Sequence, residues 1–520
     1  MEHLGQNGLI SELENGVTLC CDEQCSEKEI VTTSIQYAVK VLLMGLGEDI
    51  NREGIRKTPL RVAKALCEGT RGFSSLWILL VNRSQKAYKE ATIEREMTRV
   101  TTKCSVREML KGINNNTARE ENISNLDKNG IPGYVKSVKE IVEGALFPEG
   151  GVEKNKVGDA GGVGGLVIVR DLDFYSYCES CMLPFYFKCH VGYVPSAQRV
   201  LGLSKLSRVT NVFAKRLQEP QRLANQVCFA LHEGIQPTGV AVLLQCKHIP
   251  FPDMESNSLH SNHKGVLGIL VSSGSGVFQN KDANLWTDFF GLLNFRGIDK
   301  DKIIDKGSLD HCWCPSLSSK VSPKNQEMNP AMVTAVVSIL KSLGEDPTRK
   351  ELQGTPARYT KWLMNFQCSS IERALNGSLG NGALNTNGVV GFDEKIHSEL
   401  NLPFLSQCEH HLLPFYGVVH IGYYISKGFH PIEKRLLQSI VHFYGIKLQV
   451  QERVTKQIAE TVSALIGENV IVVVEASHTC MISRGIEKFG SNTATIAALG
   501  RFSTDLATKT AFLESIPNDT

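Results

Sequence analysis

Hydrophobic residues recur at helical and strand spacing in two long stretches of this 520-residue chain, in the same order each time. Each stretch opens with a pair of helical patterns, which lie at 35–46 and 58–66 and then at 332–343 and 355–363. The second helix of each pair begins with threonine and proline, which predicts that Thr58 and Thr355 cap these helices.

A strand and a long helix follow each pair. Strand-like alternation leads into an amphipathic pattern that predicts one long helix at 205–233 and another at 433–466. A β-branched run after each helix, at 239–244 and 470–474, predicts a buried strand. The pattern therefore indicates an α+β fold with two modules of similar build.

The two stretches are also copies in sequence. Leu-Gly-Glu-Asp begins at Leu46 and again at Leu343, whereas a block that ends in Leu-Pro-Phe begins at Cys178 and again at Cys408. The offset falls from 297 to 230 residues, so the first copy carries 67 extra residues between these landmarks. Most of the excess is a Lys-, Glu- and Asn-rich segment without apolar periodicity, which is typical of a loop or a disordered insertion. The predicted organisation is a tail at 1–31, a first module at 32–298 with an insertion at 73–133, a linker at 299–328 and a second module at 329–520.

Charge and composition name no macromolecular partner. Lys and Arg number 56 against 54 Asp and Glu, a net charge of +2, so neither nucleic-acid binding nor membrane binding is expected. The longest apolar run, 76–81, is too short to span a bilayer, and the N-terminus has no export signal. Fifteen cysteines, an odd number, fit free thiols in a reducing compartment, which favours a cytoplasmic location.

The strongest chemical signal is a set of metal-binding residues in the second module. Cys408 and His411 are separated by two residues, the spacing at which a tight turn brings two side chains to one metal ion, and Cys480 can provide a third ligand. Three protein ligands leave zinc an open position for water, which is typical of catalytic zinc. His410 and His478 lie beside this set and are suited to proton transfer at neutral pH.

Four blocks of the second module, at 406–417, 448–454, 478–485 and 491–495, resemble the signature sequences of GTP cyclohydrolase I. The resemblance covers both modules, at about 32–298 and 329–515, and the tandem form is similar to the plant enzyme. It implies the tunnelling fold (T-fold), in which antiparallel sheets backed by helices assemble into an oligomeric barrel.

The resemblance also implies an activity and a set of site residues. The activity is the hydrolysis of GTP to 7,8-dihydroneopterin triphosphate and formate, the first step of tetrahydrofolate biosynthesis. The implied zinc ligands are Cys408, His411 and Cys480, and the implied acid/base residues are His410 and His478. The substrate contacts in this module are Gln451, Glu452 and Arg484.

Each module departs from the family pattern at a different place. In the first module Ser180, Cys181 and Pro250 stand where the second has His410, His411 and Cys480, so we expect one catalytic zinc per chain, in the second module. Cys178 and Cys181 with Cys246 provide the thiols for a relict metal site, although a packing role is the favoured interpretation.

The triphosphate-binding block of the family is intact only in the first module, where it contains Ser204, Lys205 and Arg208. Arg435, Leu436 and Ser439 stand at these positions in the second module. We therefore expect a composite site at module interfaces, within one chain or between chains of a homo-oligomer. The alternative is that the second module works alone and the first is a scaffold or regulator. A non-catalytic zinc-stabilised binding protein is disfavoured, because His410, His478 and Glu452 are all kept.

Overall fold

The computed structural model describes residues 27–70, 138–148, 165–196, 199–249, 267–280, 284–294, 297, 313–314, 316, 328–366, 395–425, 431–486 and 490–517. The predicted insertion at 73–133 lies outside the described residues, as does most of the predicted linker. The first helix begins at Glu27, inside the segment predicted as a tail.

The first copy contains six described helices: α1 Glu27–Gly45, α2 Thr58–Gly69, α3 Val138–Val142, α4 Ser204–Ala214, α5 Pro220–Ile235 and α6 Asn284–Asn294. Its described strands are β1 Leu146–Pro148, β2 Val167–Cys178, β3 Pro184–Val194, β4 Arg199–Leu201, β5 Leu217–Gln218, β6 Gly239–His248 and β7 Leu267–Gly276. Five of these strands form one sheet in the order β5-β2-β3-β6-β7, and β1 pairs with β4.

The second copy repeats this arrangement. Its described helices are α7 Pro330–Ser342, α8 Thr355–Met364, α9 Lys434–Gly445, α10 Gln451–Ile466, α11 Thr479–Ile482, α12 Arg501–Thr504 and α13 Leu506–Glu514. Its described strands are β8 Lys395–Cys408, β9 Pro414–Ile425, β10 Leu448–Gln449, β11 Val470–His478 and β12 Thr493–Ala498. They form a five-stranded sheet in the order β10-β8-β9-β11-β12.

Both sheets are antiparallel except at one edge, where β5 pairs parallel with β2 and β10 pairs parallel with β8. Strands β2 and β8 each have a register irregularity at the equivalent position. It is marked by left-handed backbone at Asp171 (φ 56°) and at Asn401 (φ 59°). The sheets and their backing helices agree with the predicted tandem α+β fold.

The prediction of one long helix per copy is wrong, because each splits into two. The first splits between α4 and α5 at a proline, Pro220, which cannot donate a backbone hydrogen bond inside a helix. The second splits between α9 and α10 without a proline. In both copies the break holds the two-residue strand that joins the sheet edge, and this tertiary pairing overrides helical periodicity.

Helices α2 and α8 each bond to the other module, and α8 also bonds to its own module through Tyr359 and Trp362. Thr58 of α2 donates its hydroxyl to the backbone carbonyl of Glu409 at 2.7 Å, and Thr355 of α8 donates to the carbonyl of Glu179 at 2.5 Å. The N-caps of these helices are Lys57 and Gly354, so the prediction that the threonines are the caps is wrong. Their hydroxyls bind the other module instead.

A continuous hydrophobic core spans both modules. Helices α1 and α7 pack against each other, and α5 and α10 pack on the sheets of their own modules. Leu42 of α1, Val336 of α7, Val242 of β6 and Val474 of β11 belong to the same buried cluster. None of the described helices combines the length and the apolar composition needed to cross a bilayer.

Candidate active site

A tight turn after β8 brings Cys408 and His411 together. The backbone amides of His411 and Leu412 both donate to the carbonyl of Cys408, at 3.3 and 2.9 Å, and Leu412 takes a left-handed φ of 51°. Cys480 lies in α11, directly after β11, whose last residue is in register with Phe415 just beyond the turn. The ligand atoms of Cys408, His411 and Cys480 all lie within 4.8 Å of one another.

The charge state of this group suits a metal ion. Cys408 and Cys480 are buried, and hydrogen bonds from Cys480 and from the neighbouring histidine rings hold the pKa of the Cys408 thiol well below its ordinary value. The hydrogen bond with Cys408, together with burial, raises the pKa of Cys480. A lowered pKa favours the thiolate form of Cys408, which is the form of cysteine that binds metals. Two sulfur donors and one imidazole match the ligand chemistry of zinc.

His478 is held in one orientation beside these three residues. Its Nε2 lies 2.8 Å from the side-chain oxygen Oε1 of Gln451, and its ring stacks on Phe415 with centroids 4.6 Å apart and planes 6° apart. The amide nitrogen of Gln451 donates to the carbonyls of Val474 and Thr493, at 2.9 and 2.7 Å. Since that amide can only donate, Oε1 must accept from His478, and Nδ1 of the ring is left to exchange a proton.

Glu409 anchors the turn that carries His410 and His411. Its carboxylate is 2% exposed and accepts from Arg453 at 2.6 Å and from Arg52 at 3.1 Å. His410 is half-buried, with Nε2 3.9 Å from Glu409. Sequence reasoning missed this anchor, although Glu179 and Arg349 repeat the pair in the other copy, with Nη1 of Arg349 2.9 Å from the carboxylate. The anchor could have been predicted from the Glu and Arg residues that stand at equivalent positions in the two copies.

Comparison with known proteins identifies the family. The sequence profile described as GTP cyclohydrolase I matches residues 102–283 and again residues 332–517. The chain belongs to the GTP cyclohydrolase I family. The first match begins inside the segment 73–133 that sequence analysis predicted as an insertion.

Two plant relatives match this chain over nearly its whole length. The chain is 52% identical to GTP cyclohydrolase 1 of Arabidopsis thaliana, over 99% of this chain and 97% of the relative. It is 54% identical to GTP cyclohydrolase 1 of Solanum lycopersicum, over 98% and 96% of the two chains. GTP cyclohydrolase 1 of Homo sapiens is 42% identical over 38% of this chain and 76% of its own length.

The substrate residues implied by the cyclohydrolase resemblance are not all gathered at the Cys408 turn. Gln451 is buried and bonded to His478, Glu452 is exposed in the first turn of α10, and Arg484 donates to the carbonyl of Cys480 at 2.6 Å. Ser204, Lys205 and Arg208 lie on α4 of the first module. In the described part of the chain no hydrogen bond or ion pair links these three to the Cys408 turn.

The first module of this cyclohydrolase forms a second group of potential ligands with the segment that follows it. Cys178, Cys181, His248 and Cys314 have ligand atoms within 4.8 Å of one another. Cys246, which the sequence offered as the third thiol of a relict site while a packing role was favoured, does not belong to this group. Cys246 pairs with Phe187, whereas His248 pairs with Phe185, two residues closer to the turn that holds Cys181. His248 at the end of β6 therefore reaches the cysteines.

Proposed function

We propose that this chain is a zinc-dependent GTP cyclohydrolase I, which hydrolyses GTP to 7,8-dihydroneopterin triphosphate and formate at a centre in its second module. The observation that carries the proposal is the convergence of Cys408, His411 and Cys480 beside a histidine, His478, whose ring is fixed by Gln451. Full-length relatives that are more than half identical carry the name GTP cyclohydrolase 1.

Zinc is the metal that this donor set favours, and Cys408, His411 and Cys480 are its proposed ligands. When bound, it would supply a Lewis acid with a position for water at neutral pH. The buried pair Cys408 and Cys480 fits this role, because a charged sulfur is costly to bury without a cation. His410 and His478 are then left free of the metal.

Proton transfer is assigned to the two histidines. His478 donates through Nε2 to Gln451, so Nδ1 is the atom that gives or takes a proton at the guanine ring. His410 is half-buried and lies on the anchored turn, where it provides a second proton-transfer group. Phe415 limits rotation of the His478 ring, which keeps Nδ1 directed to the same place.

Recognition of guanine is assigned to Glu452, and Arg484 is proposed as a further substrate contact. A carboxylate accepts hydrogen bonds only, so Glu452 matches the adjacent N1–H and amino donors of guanine. At the same position the first module has Gln221, whose amide already donates to Asn225 and to the carbonyl of Ser272. The first module therefore has an amide with its own donors where the second has a carboxylate that only accepts, which supports a catalytic role for the second.

The triphosphate is assigned to Ser204, Lys205 and Arg208 of the first module. Ser204 and Arg208 are exposed on α4, so both side chains are accessible to a charged ligand. Because no recorded contact joins α4 to the Cys408 turn within the described chain, we propose that the composite site forms between chains of a homo-oligomer.

The test is turnover of GTP by the purified full-length chain, followed as formate release and as pterin fluorescence. The matched control is His478→Ala, which removes the proton-transfer group and leaves all three metal ligands. We expect formate and pterin in equal amounts from the wild type and background levels from the variant, with the same metal content. Product without formate, or full activity of His478→Ala, would contradict the proposal.

A further inference from the structure

The first module and the segment that follows it together have four potential metal ligands that the proposed reaction does not use. They are Cys178, Cys181, His248 and Cys314, and each is 0% exposed. The catalytic group of the second module has three, one of which is only partly buried. A fourth buried donor changes the chemistry, since four protein ligands leave zinc no position for water, which is typical of structural sites.

The two separations between His248 and its neighbouring thiols match those of tetrahedral zinc. Zn–S bonds of about 2.3 Å and Zn–N bonds of about 2.0–2.1 Å place sulfur and nitrogen donors about 3.6 Å apart. In the structure Nε2 of His248 lies 3.4 Å from Sγ of Cys181 and 3.7 Å from Sγ of Cys314. Cys178 and Cys181 share a turn in which the amide of Met182 donates to Cys178 at 2.7 Å.

His248 presents its metal-binding nitrogen to the cysteines. Its Nδ1 lies 2.8 Å from the carbonyl of Ile249, to which it can only donate, so the lone pair of the neutral ring is on Nε2. Histidines that bind metals commonly donate their other nitrogen to a backbone carbonyl in this way. His478, at the matching position of the second module, has the opposite arrangement, because its Nε2 donates to Gln451. The counterpart of Gln451 in the first module is Pro220, which has no such acceptor.

Cys314 reaches the group from the segment between the modules. Trp313 packs edge-on against both Phe185 and His248, with ring centroids 5.0 Å apart in each case. The hydroxyl of Ser316 lies 3.0 Å from Sγ of Cys314 and provides a donor to a thiolate. Pro250 stands where the second module has the ligand Cys480. Cys314 provides the missing thiol, but from a different part of the chain.

We propose that Cys178, Cys181, His248 and Cys314 form a closed structural zinc site that ties the segment between the modules to the first sheet. The site has no hydrolytic role, because it offers no open position and is shielded from solvent. It stabilises the folded protein and fixes the position from which the chain enters the second module. The full-length chain then binds two zinc ions, one at each site.

The test is the zinc content of the full-length protein, measured by elemental analysis after gel filtration in reducing buffer. We expect two zinc ions per chain in the wild type and one in Cys408→Ser/Cys480→Ser, which leaves the first module unchanged. Cys314→Ser is expected to lose the other zinc ion and keep GTP turnover at the temperature where it is folded. Cys246→Ser removes a buried thiol that belongs to neither group, and we expect it to keep both.

Two results would overturn the proposal. One is a folded Cys408→Ser/Cys480→Ser protein without zinc, which means that the first module holds buried thiols and no metal. The other is a Cys314→Ser protein that keeps two zinc ions. If Cys314→Ser does not fold, Cys314→His replaces one ligand type with another and is expected to keep two zinc ions, so loss of one zinc ion from folded Cys314→His would also count against the site.

Discussion

Nε2 of His478 and Oε1 of Gln451 lie 2.8 Å apart, and both donors of the Gln451 amide are already occupied by backbone carbonyls. The folded protein therefore already uses both amide donors of Gln451, and its Oε1 accepts from His478. This geometry assigns Gln451 to positioning His478, whereas the family resemblance suggested substrate contact.

Gln451→Ala separates these two roles. If Gln451 positions His478, kcat should fall by about 10- to 100-fold, part of what general acid–base catalysis provides, while KM for GTP and zinc content stay unchanged. Gln438→Ala is the matched control, because Gln438 is also buried but donates to the carbonyl of Pro403. A rise in KM with unchanged kcat would instead make Gln451 a substrate contact.

Arg52→Ala tests the anchor between the modules. Arg52 is 35% exposed, so solvent screening limits the stability loss to about 1–2 kcal/mol, seen as a lower thermal midpoint. Arg349→Ala is the control, since it removes the equivalent contact to Glu179 in the first module. Turnover should fall in Arg52→Ala only, because Glu409 anchors the turn of the proposed zinc ligands. An equal loss of turnover in both variants would mean that the anchors act through overall stability.

Chelator treatment should remove activity before it removes all the metal. His411 is partly buried and the proposed catalytic site has an open position, whereas the four ligands in the first module are buried throughout. We expect GTP turnover to vanish with the first zinc ion lost, while the second stays in the folded protein. Zinc content and turnover measured in the same samples over time decide this. Turnover that persists after one zinc ion per chain is lost would contradict the prediction that the catalytic zinc ion is lost first.

Lys205→Ala tests the composite site. Loss of a charge-assisted phosphate contact should lower kcat/KM for GTP by about 10- to 150-fold without changing zinc content. Lys456→Ala, which removes an exposed lysine paired with Glu460 on α10, should have no effect. Normal activity of Lys205→Ala would leave the first module as a scaffold.

Mixing inactive chains locates that site. A His478→Ala chain and a Lys205→Ala chain each keep the half of the site that the other lacks. If the site forms between chains, mixed oligomers should regain a fraction of wild-type formate release, and separate samples should not. No recovery, with exchange of subunits shown independently, would place both halves in one chain.

The sequence by itself determined the repeat, the helix pairs, the main strands and the three proposed catalytic ligands. The helices and strands depend on apolar periodicity within one element, and the pair Cys408 and His411 depends on one turn. A turn of this kind acts over three residues, so the chain order alone is enough to suggest it. Cys480, 72 residues after Cys408, was named because its block resembles the family signature.

Tertiary structure decided the rest. The break between α9 and α10 results from pairing of a two-residue strand with the distant β8, and no helical pattern contains that information. Arg52 and Glu409 are 357 residues apart, and Cys314 and His248 are 66 residues apart. Such contacts depend on how the two modules pack, and a linear pattern carries no signal for a partner that only folding brings near.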